Sequence, residues 1–200
     1  SDNKVSSSTK LLDSQGFSPF EIRVDQQTKT EIIQGFSEVD QLTVNIIGET
    51  IIDEFVLGKH FGISPKSHCS VLGFNSKSNQ LGGSSAIARH LSSFVDKVNL
   101  YTNELSTEGM RLKLPDNVYV STINQGDVRV TRFEDSRDGN KLFEVKYNTL
   151  KKTNINFDAL SGLTIIANFG LGLLNPFNLQ QVKKASDKIL YMAQSNSSNH

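Results

Sequence analysis

A regular hydrophobic pattern begins near residue 42 of the chain. The segment "LTVNIIGETIIDEF", residues 42–55, opens with a β-branched run that ends at Gly48, which is typical of a buried strand and its exit turn. Over residues 86–94, apolar positions recur at spacings of one, three, one and three, which predicts an amphipathic helix. Residues 1–40 show no sustained period. We therefore interpret 1–40 as a tail or interdomain linker and 41–200 as a folded domain.

The remaining periodic segments alternate between strand and helix. "KVNLYT" and residues 117–121 predict two strands, and residues 127–147 predict two alternating strands around an Asp-Gly turn at 138–139. "LTIIANFG" predicts another buried strand, Asn175 and the following proline open a helix, and "KILYMA" predicts a last strand. This order predicts an α/β fold, with a Rossmann-like, mostly parallel sheet, helices on both faces and an inserted β-strand lid.

The amino-acid composition argues against several classes of function. Lys plus Arg and Asp plus Glu number 21 each in 200 residues, so no overall basic charge favours nucleic acid or an anionic membrane surface. The longest apolar-rich run, "LTIIANFGLGLL", is too short to span about 30 Å of hydrocarbon. The first ten residues lack the apolar core of a signal peptide, and one cysteine cannot form an internal disulfide. We expect a cytoplasmic protein with neither nucleic-acid nor membrane partners.

Three polar or glycine-rich segments are expected to meet at one edge of the predicted sheet. They are Gly48–Asp53 after the first strand, Gly82-Gly83 before the helix, and Asn168–Gly172 after a later strand. Ligands of open α/β sheets gather at the carboxyl ends of the strands. This edge is therefore the predicted binding site.

Four stretches in this order carry a resemblance to a known family. "NIIGETIIDEF", "LGGSSAIARHL", "VRVTRFED" and "TIIANFGLGLL" resemble the N-terminal half of a ribokinase-like, PfkB-type carbohydrate kinase. The likeness covers roughly residues 42–200 and is greatest to sugar-phosphate kinase domains fused to cytidylyltransferases, as in heptose-phosphate kinase and adenylyltransferase enzymes. It implies an incomplete ribokinase-like fold with lid strands at about 68–80 and 127–147.

The tail has two interpretations. "KVSSSTKLL", residues 4–12, resembles the closing Ser-Ser-Thr motif of a nucleotidyltransferase domain, whose hydroxyls and following cation meet nucleotide phosphates. A serine-rich linker beside a lysine has the same composition. Both interpretations remain open on the sequence.

The resemblance implies roles for four residues. Asp53 matches the family's acceptor for sugar hydroxyls, Gly82 and Gly83 match the pair whose backbone approaches the sugar, and Asn168 matches a position beside the reacting groups. A carboxylate offers two acceptor oxygens to a diol, and glycine lacks the Cβ that would block a ligand. The alternatives are a turn or helix-capping role for Asp53, and a strand-to-helix turn at the glycines, capped by Ser84 or Ser85.

Two arginines are candidates for contact with a sugar phosphate. Arg89 lies on the predicted helix and Arg132 on a predicted lid strand. The planar guanidinium matches a phosphate group. The alternative for each is an ordinary surface arginine.

The catalytic motif of the family, a Gly-Ala-Gly-Asp sequence, does not occur in the chain. The resemblance therefore implies the sugar- or sugar-phosphate-binding portion of a kinase whose intact parent uses ATP and Mg²⁺. We assign no catalytic residue and no metal ligand, and we expect the chain alone to be inactive. Two other functions stay open: a noncatalytic sugar-sensing or dimerisation module that pairs through its lid strands, and a nucleotide-binding Rossmann-type domain.

Overall fold

The computed structural model describes residues 26–39, 41–105 and 113–194. These residues form the following helices and strands: α1 (Gln26–Val39), β1 (Thr43–Gly48), β2 (Thr50–Ile63), β3 (Ser70–Gly83), α2 (Ser84–Leu91), β4 (Lys97–Asn103), β5 (Val118–Asn124), β6 (Val128–Asp135), β7 (Lys141–Asn148), β8 (Leu160–Asn168), α3 (Pro176–Ala185) and β9 (Ser186–Ala193). The chain divides into two compact units, Ser1–Ser37 and Glu38–His200.

The tail assigned to residues 1–40 is described only in part. "KVSSSTKLL" lies outside the described residues, so its nucleotidyltransferase interpretation stays a prediction. Residues 26–39, to which the sequence pattern assigned no element, form α1. Its apolar residues Ile32, Ile33, Phe36 and Val39 recur at spacings of one, three and three, which is a helical pattern, and the segment contains no proline.

Five parallel strands form the first sheet, which we call the core sheet. Its strand order is β5-β4-β1-β8-β9, with β1 at the centre. The predicted strands of 41–200 within this sheet are confirmed, as is the helix that Asn175 and Pro176 open: Asn175 Oδ1 accepts the Asn178 N–H at 2.8 Å, and the proline occupies the first turn. Parallel strands need crossover connections, which are usually helical, and α2 and α3 provide two of them.

Successive residues of β1 point to opposite faces of the core sheet and build two separate cores. Ile46 packs with Leu100 of β4 and Ala88 of α2, and all three are fully buried. Ile47 packs on the other face with Ile166 of β8 and Val182 of α3. Helices therefore cover both faces, and the predicted α/β class is confirmed.

Four strands form a second, mixed sheet, which we call the lid sheet. Its order is β3-β2-β6-β7; β2 runs antiparallel to β3 and parallel to β6, and β7 runs antiparallel to β6. The predicted hairpin over 127–147 is confirmed as β6 and β7. The other predicted lid strand, at 68–80, is β3.

The exit turn predicted after Gly48 is a single residue and does not extend to Asp53. The chain leaves β1 through Glu49 alone and enters β2 at Thr50, so Asp53 lies within a lid strand rather than in a turn or a helix cap. The reason is the alternating pattern that starts at Thr50, in which Ile52 and Glu54 point to one face and Asp53 to the other. The alternation of buried and less buried side chains that is typical of a strand therefore begins at Thr50, directly after Glu49.

Among the described residues, no helix is long and apolar enough to cross a membrane.

Candidate functional site

The paired glycines form the point where the lid sheet meets α2. Gly83 is the residue before the helix and has φ of +61°, a conformation that glycine adopts at little cost. The Ser84 N–H donates to Glu49 O at 2.8 Å. No side chain caps α2, so the predicted serine cap is wrong: Ser84 Oγ instead donates to Gly48 O at 2.9 Å.

Asp53 lies directly against Gly82. The two residues are on adjacent strands, and a Cβ added to Gly82 would lie 2.1 Å from Asp53 Oδ2. Any side chain at position 82 would therefore displace the carboxylate. The predicted convergence of Asp53 with the glycine pair is present in the structure.

Arg132 joins the same cluster from β6. Its Nη1 donates to Asp53 Oδ1, its Nε lies 3.5 Å from Glu144 Oε2, and its guanidinium lies 5.4 Å from the centre of the Phe55 ring. The side chains of Asp53 and Arg132 are 22% and 28% exposed, so solvent still reaches the pair. The site thus presents a carboxylate, a guanidinium and glycine backbone together.

Buried hydroxyl and amide groups anchor the junction between the two sheets at Thr50. The Thr50 N–H donates to Thr102 Oγ1 at 2.9 Å and to Asn103 Oδ1 at 2.8 Å, while Asn103 Nδ2 donates to Thr50 O at 3.2 Å. The Thr50 hydroxyl also bonds those of Ser84 and Ser85 on α2. Asn103 therefore pairs with Thr50 as a neighbouring strand would, and the start of the lid sheet is tied to β4 and α2.

Glu49 links the same junction to the loop after β8. Its side chain is fully buried, its Oε2 accepts the Phe169 N–H at 2.9 Å, and its Oε1 accepts the Leu171 and Leu173 N–H groups, each at 3.2 Å. Three backbone donors compensate the buried negative charge. The segments at 48–53 and 168–172 therefore meet, as the sheet-edge argument predicted.

Asn168 is present at this edge, but its side chain is already bonded within the protein. Its Nδ2 donates to Tyr191 Oη at 2.8 Å, and its Oδ1 accepts the Gly170 N–H at 2.9 Å. These bonds shape the loop that Glu49 holds. A direct role of Asn168 in ligand binding stays a prediction.

Arg89 is not brought into the cluster. It lies exposed in the last turn of α2, six residues after Gly83, which corresponds to about 9 Å along the helix axis. The helix therefore separates Arg89 from the glycine pair. Its predicted role in phosphate binding has no support from its position.

A second charged cluster lies on the opposite face of the lid sheet, around Glu54. Its carboxylate, 5% exposed, accepts from Thr131 Oγ1 at 2.6 Å and lies 2.9 Å from Lys77 Nζ and 3.1 Å from Arg129 Nη1. Burial raises the pKa of Glu54, but the hydrogen bonds from Thr131 and Lys77 and the positive charges of Arg129 and Lys77 outweigh it, so the net shift is downward. This cluster joins the three strands β3, β2 and β6.

Sequence reasoning missed Glu49 and the residues around Thr50. Glu49 directly follows the glycine that ends β1, so its place at the carboxyl edge was a usable signal for contact with the loop after β8. Thr102 and Asn103 end β4 at the same edge. Their relation to Thr50 depends on the strand order β4-β1, which the residue pattern alone does not specify.

The described residues offer no metal site. Among them, no group of three or more His, Cys, Asp or Glu side chains is arranged to hold a metal ion. Mg²⁺ in nucleotide-dependent sites is usually held by one or two carboxylates together with phosphate oxygens, so the Mg²⁺ that the family resemblance implies stays an expectation for the intact parent.

Comparison with protein-family models and with curated proteins finds no match. Among solved structures, the tetrameric inhibited form of phosphofructokinase-2 from Escherichia coli matches with 13% identity and a TM-score of 0.51, covering 80% of this chain and 56% of that chain. The fold is ribokinase-like. This agrees with the expectation from the sequence, and at such low identity the match shows the fold alone.

Two further matches are more distant in superposition. The nucleoside kinase of Methanocaldococcus jannaschii, an archaeal member of the ribokinase family, has 16% identity and a TM-score of 0.49, covering 77% of this chain and 52% of that chain. Escherichia coli phosphofructokinase-2 in complex with fructose-6-phosphate has 13% identity and a TM-score of 0.48, covering 79% and 56%. The chain spans about half the length of the solved structures it matches.

Replacement of Glu49 tests its hold on the loop. Glu49→Gln keeps the size of the side chain but substitutes an amide for one acceptor oxygen, leaving at least one buried N–H without its partner. We expect the unfolding free energy to fall by about 1–3 kcal/mol and the amides of Phe169, Leu171 and Leu173 to exchange faster. Urea unfolding and amide hydrogen exchange measure both effects. The exposed Glu104→Gln is the control, and equal exchange in the two variants would contradict the assignment.

Lowering the pH should reduce the stability of the lid sheet, because Glu54 then becomes protonated. Because its pKa is lowered on folding, the stability it contributes is complete above its unfolded pKa, about 4.3, and is lost as the pH falls through the lower folded value. We expect Glu54→Gln to be less stable than wild type at pH 7 and to lose less stability as the pH is lowered from about 5 to about 3. Urea unfolding across this range measures it; identical pH slopes in wild type and variant would contradict the interpretation.

Proposed function

We propose that the chain is the sugar- or sugar-phosphate-binding portion of an ATP-dependent carbohydrate kinase. The observation that carries the proposal is the convergence of Asp53, Gly82 and Arg132 at one partly exposed site. A carboxylate accepts hydrogen bonds from sugar hydroxyls, a guanidinium donates to them, and glycine allows the ligand to approach the backbone. The ribokinase-like fold adds an argument by analogy.

The reaction proposed for the intact parent is phosphoryl transfer from ATP to a sugar hydroxyl, with Mg²⁺. The described residues supply groups for the acceptor side only, and no step of the proposal passes through a metal or a nucleotide bound to them. The edge strand β9 is exposed on both faces of the core sheet, since Leu190 is 56% exposed and Tyr191 50%. This exposure supports the proposal that the chain is a portion of a larger protein. Parallel strands of this apolar composition are normally covered on both faces.

The fusion to a nucleotidyltransferase remains part of this proposal. It rests on the resemblance of residues 4–12 alone.

Asp53 and Gly82 provide the direct test of sugar binding. We expect Asp53→Asn to weaken binding of D-fructose and D-ribose at least roughly tenfold, because the amide loses a charged acceptor, and Gly82→Ala to do the same by displacing the carboxylate. Titration of the 200-residue chain followed by amide NMR shifts measures the affinities. Asp96→Asn, an exposed change of equal charge before β4, is the control. Unchanged binding by both site variants would contradict the proposal, and so would sugar-dependent ATP turnover by this chain alone.

A second candidate function, a dimerisation module, is favoured by one surface. The face of the lid sheet that carries Glu54 also exposes Phe143, Val145 and Tyr147, which are 44%, 51% and 53% exposed. Adjacent exposed apolar side chains on a sheet mark an interaction surface. A second copy of the chain is the proposed partner.

Sedimentation tests this candidate. If the surface pairs, the mass rises with concentration toward a dimer, and Val145→Lys prevents that rise by placing a charge in the interface. Val120→Lys is a matched control because Val120 is 41% exposed on β5 of the core sheet. A wild-type chain that remains monomeric at all concentrations would exclude the dimerisation module.

A further inference from the structure

Four side chains share one face of the lid sheet, which we call the Asp53 face. Phe55 of β2 pairs with Arg132 of β6, and Arg132 pairs with Glu144 of β7, so their side chains point to the same side. Asp53 is two residues before Phe55 and therefore shares that side. These four residues form the floor on which a ligand of the predicted site would rest.

Arg132 is engaged by two carboxylates. Asp53 Oδ1 accepts from its Nη1, and Glu144 Oε2 lies 3.5 Å from its Nε. Arg132 therefore has a carboxylate on each side, and Glu144 is shared with Lys146 and Lys141. Arg132, the lid-strand arginine predicted to contact a phosphate, is thus already paired with carboxylates of the lid sheet.

Glu144 is held in its ionised form from the solvent side. Lys146 Nζ lies 3.3 Å from Glu144 Oε1 and Lys141 Nζ lies 3.4 Å from Oε2, and the two lysine side chains are 70% and 55% exposed. Burial raises the pKa of Glu144, but the hydrogen bonds and charges of Lys146 and Lys141 outweigh it and lower the pKa. Glu144 therefore carries its negative charge at neutral pH.

Three other candidate cations, Arg129, Lys77 and Arg89, lie away from Asp53. Arg129 and Lys77 are on the opposite face of the lid sheet, within bonding distance of Glu54. Arg89 is at the far end of α2. Lys146 is on the Asp53 face but pairs with Glu144 at its exposed rim.

We propose, on the basis of the proposed function, that this site takes a neutral polyol, that is, an unphosphorylated sugar, rather than a sugar phosphate. A hydroxyl both donates and accepts, so one diol can bond Asp53 and Arg132 without separating them or adding charge. A phosphate dianion would have to draw Arg132 away from two carboxylates and remain close to both of them, and like charges at short distance disfavour this strongly. The Asp53–Arg132 pair therefore selects against phosphate.

Two matched pairs of ligands test the proposal: D-ribose with D-ribose 5-phosphate, and D-fructose with D-fructose 6-phosphate. The 200-residue chain is titrated with each, and the amide shifts of Gly82 and Gly83 and the Arg132 Nε–H shift are followed by NMR. We expect the neutral member of at least one pair to bind about fivefold or more tightly than its phosphate. Inorganic phosphate alone should not shift the Arg132 signal.

Glu144→Gln provides the complementary variant. It keeps the size of the side chain and removes one negative charge beside Arg132. We expect the affinity for the phosphorylated ligand to rise roughly fivefold while that for the neutral sugar changes less than about twofold. Asp96→Asn makes the same change in net charge on an exposed loop and should leave both affinities as in wild type.

The outcomes separate this inference from the proposed function. Tighter binding of the phosphate by the wild-type chain, or a Glu144→Gln variant with unchanged phosphate affinity, overturns the inference and leaves a sugar-binding site in place. Binding of none of the four ligands overturns the proposed function and the inference with it. If Glu144→Gln fails to fold, as judged by its amide spectrum, the wild-type comparison of each ligand pair still decides.

Discussion

The junction at Glu49 and Thr50 determines how the two sheets share one site. The backbone passes there from the core sheet to the lid sheet within a single residue, in surroundings where water does not satisfy polar groups. Asn103 bonds both backbone groups of Thr50, and Glu49 accepts three amides of the loop after β8. Without these partners the buried groups would each cost about 1–3 kcal/mol, so the junction has one favourable arrangement.

That arrangement places Asp53 at the site. Because Thr50 is held against β4 and α2, the third residue after it is directed onto Gly82, whose missing side chain leaves room for the carboxylate. Arg132 then reaches Asp53 from β6, the parallel neighbour of β2. The ligand-binding chemistry that we propose depends on this order of contacts, from buried junction to lid strand to exposed carboxylate.

The sequence predicted the elements of residues 41–200 better than it predicted their relation to one another. Long β-branched runs were sufficient to predict the core strands, and the spacing of apolar residues over 86–94 was sufficient to predict α2. The Asp-Gly turn was sufficient to predict the β6–β7 hairpin. The start of β2 was missed because "ETIID" follows a glycine and resembles an exit turn. Asp53 lies 79 residues from Arg132, and the loop amides that Glu49 accepts lie 120 or more residues from it, which no local pattern can identify.

A crystal structure of the chain with a bound neutral sugar would show whether Asp53 and the glycine pair hold the ligand. We expect one sugar hydroxyl to lie within hydrogen-bonding distance of the Asp53 carboxylate, the ligand to contact the backbone at Gly82 or Gly83, and Arg132 to remain beside Asp53. A sugar bound elsewhere on the molecule, with the Asp53 and Arg132 side chains in contact only with each other, would contradict it.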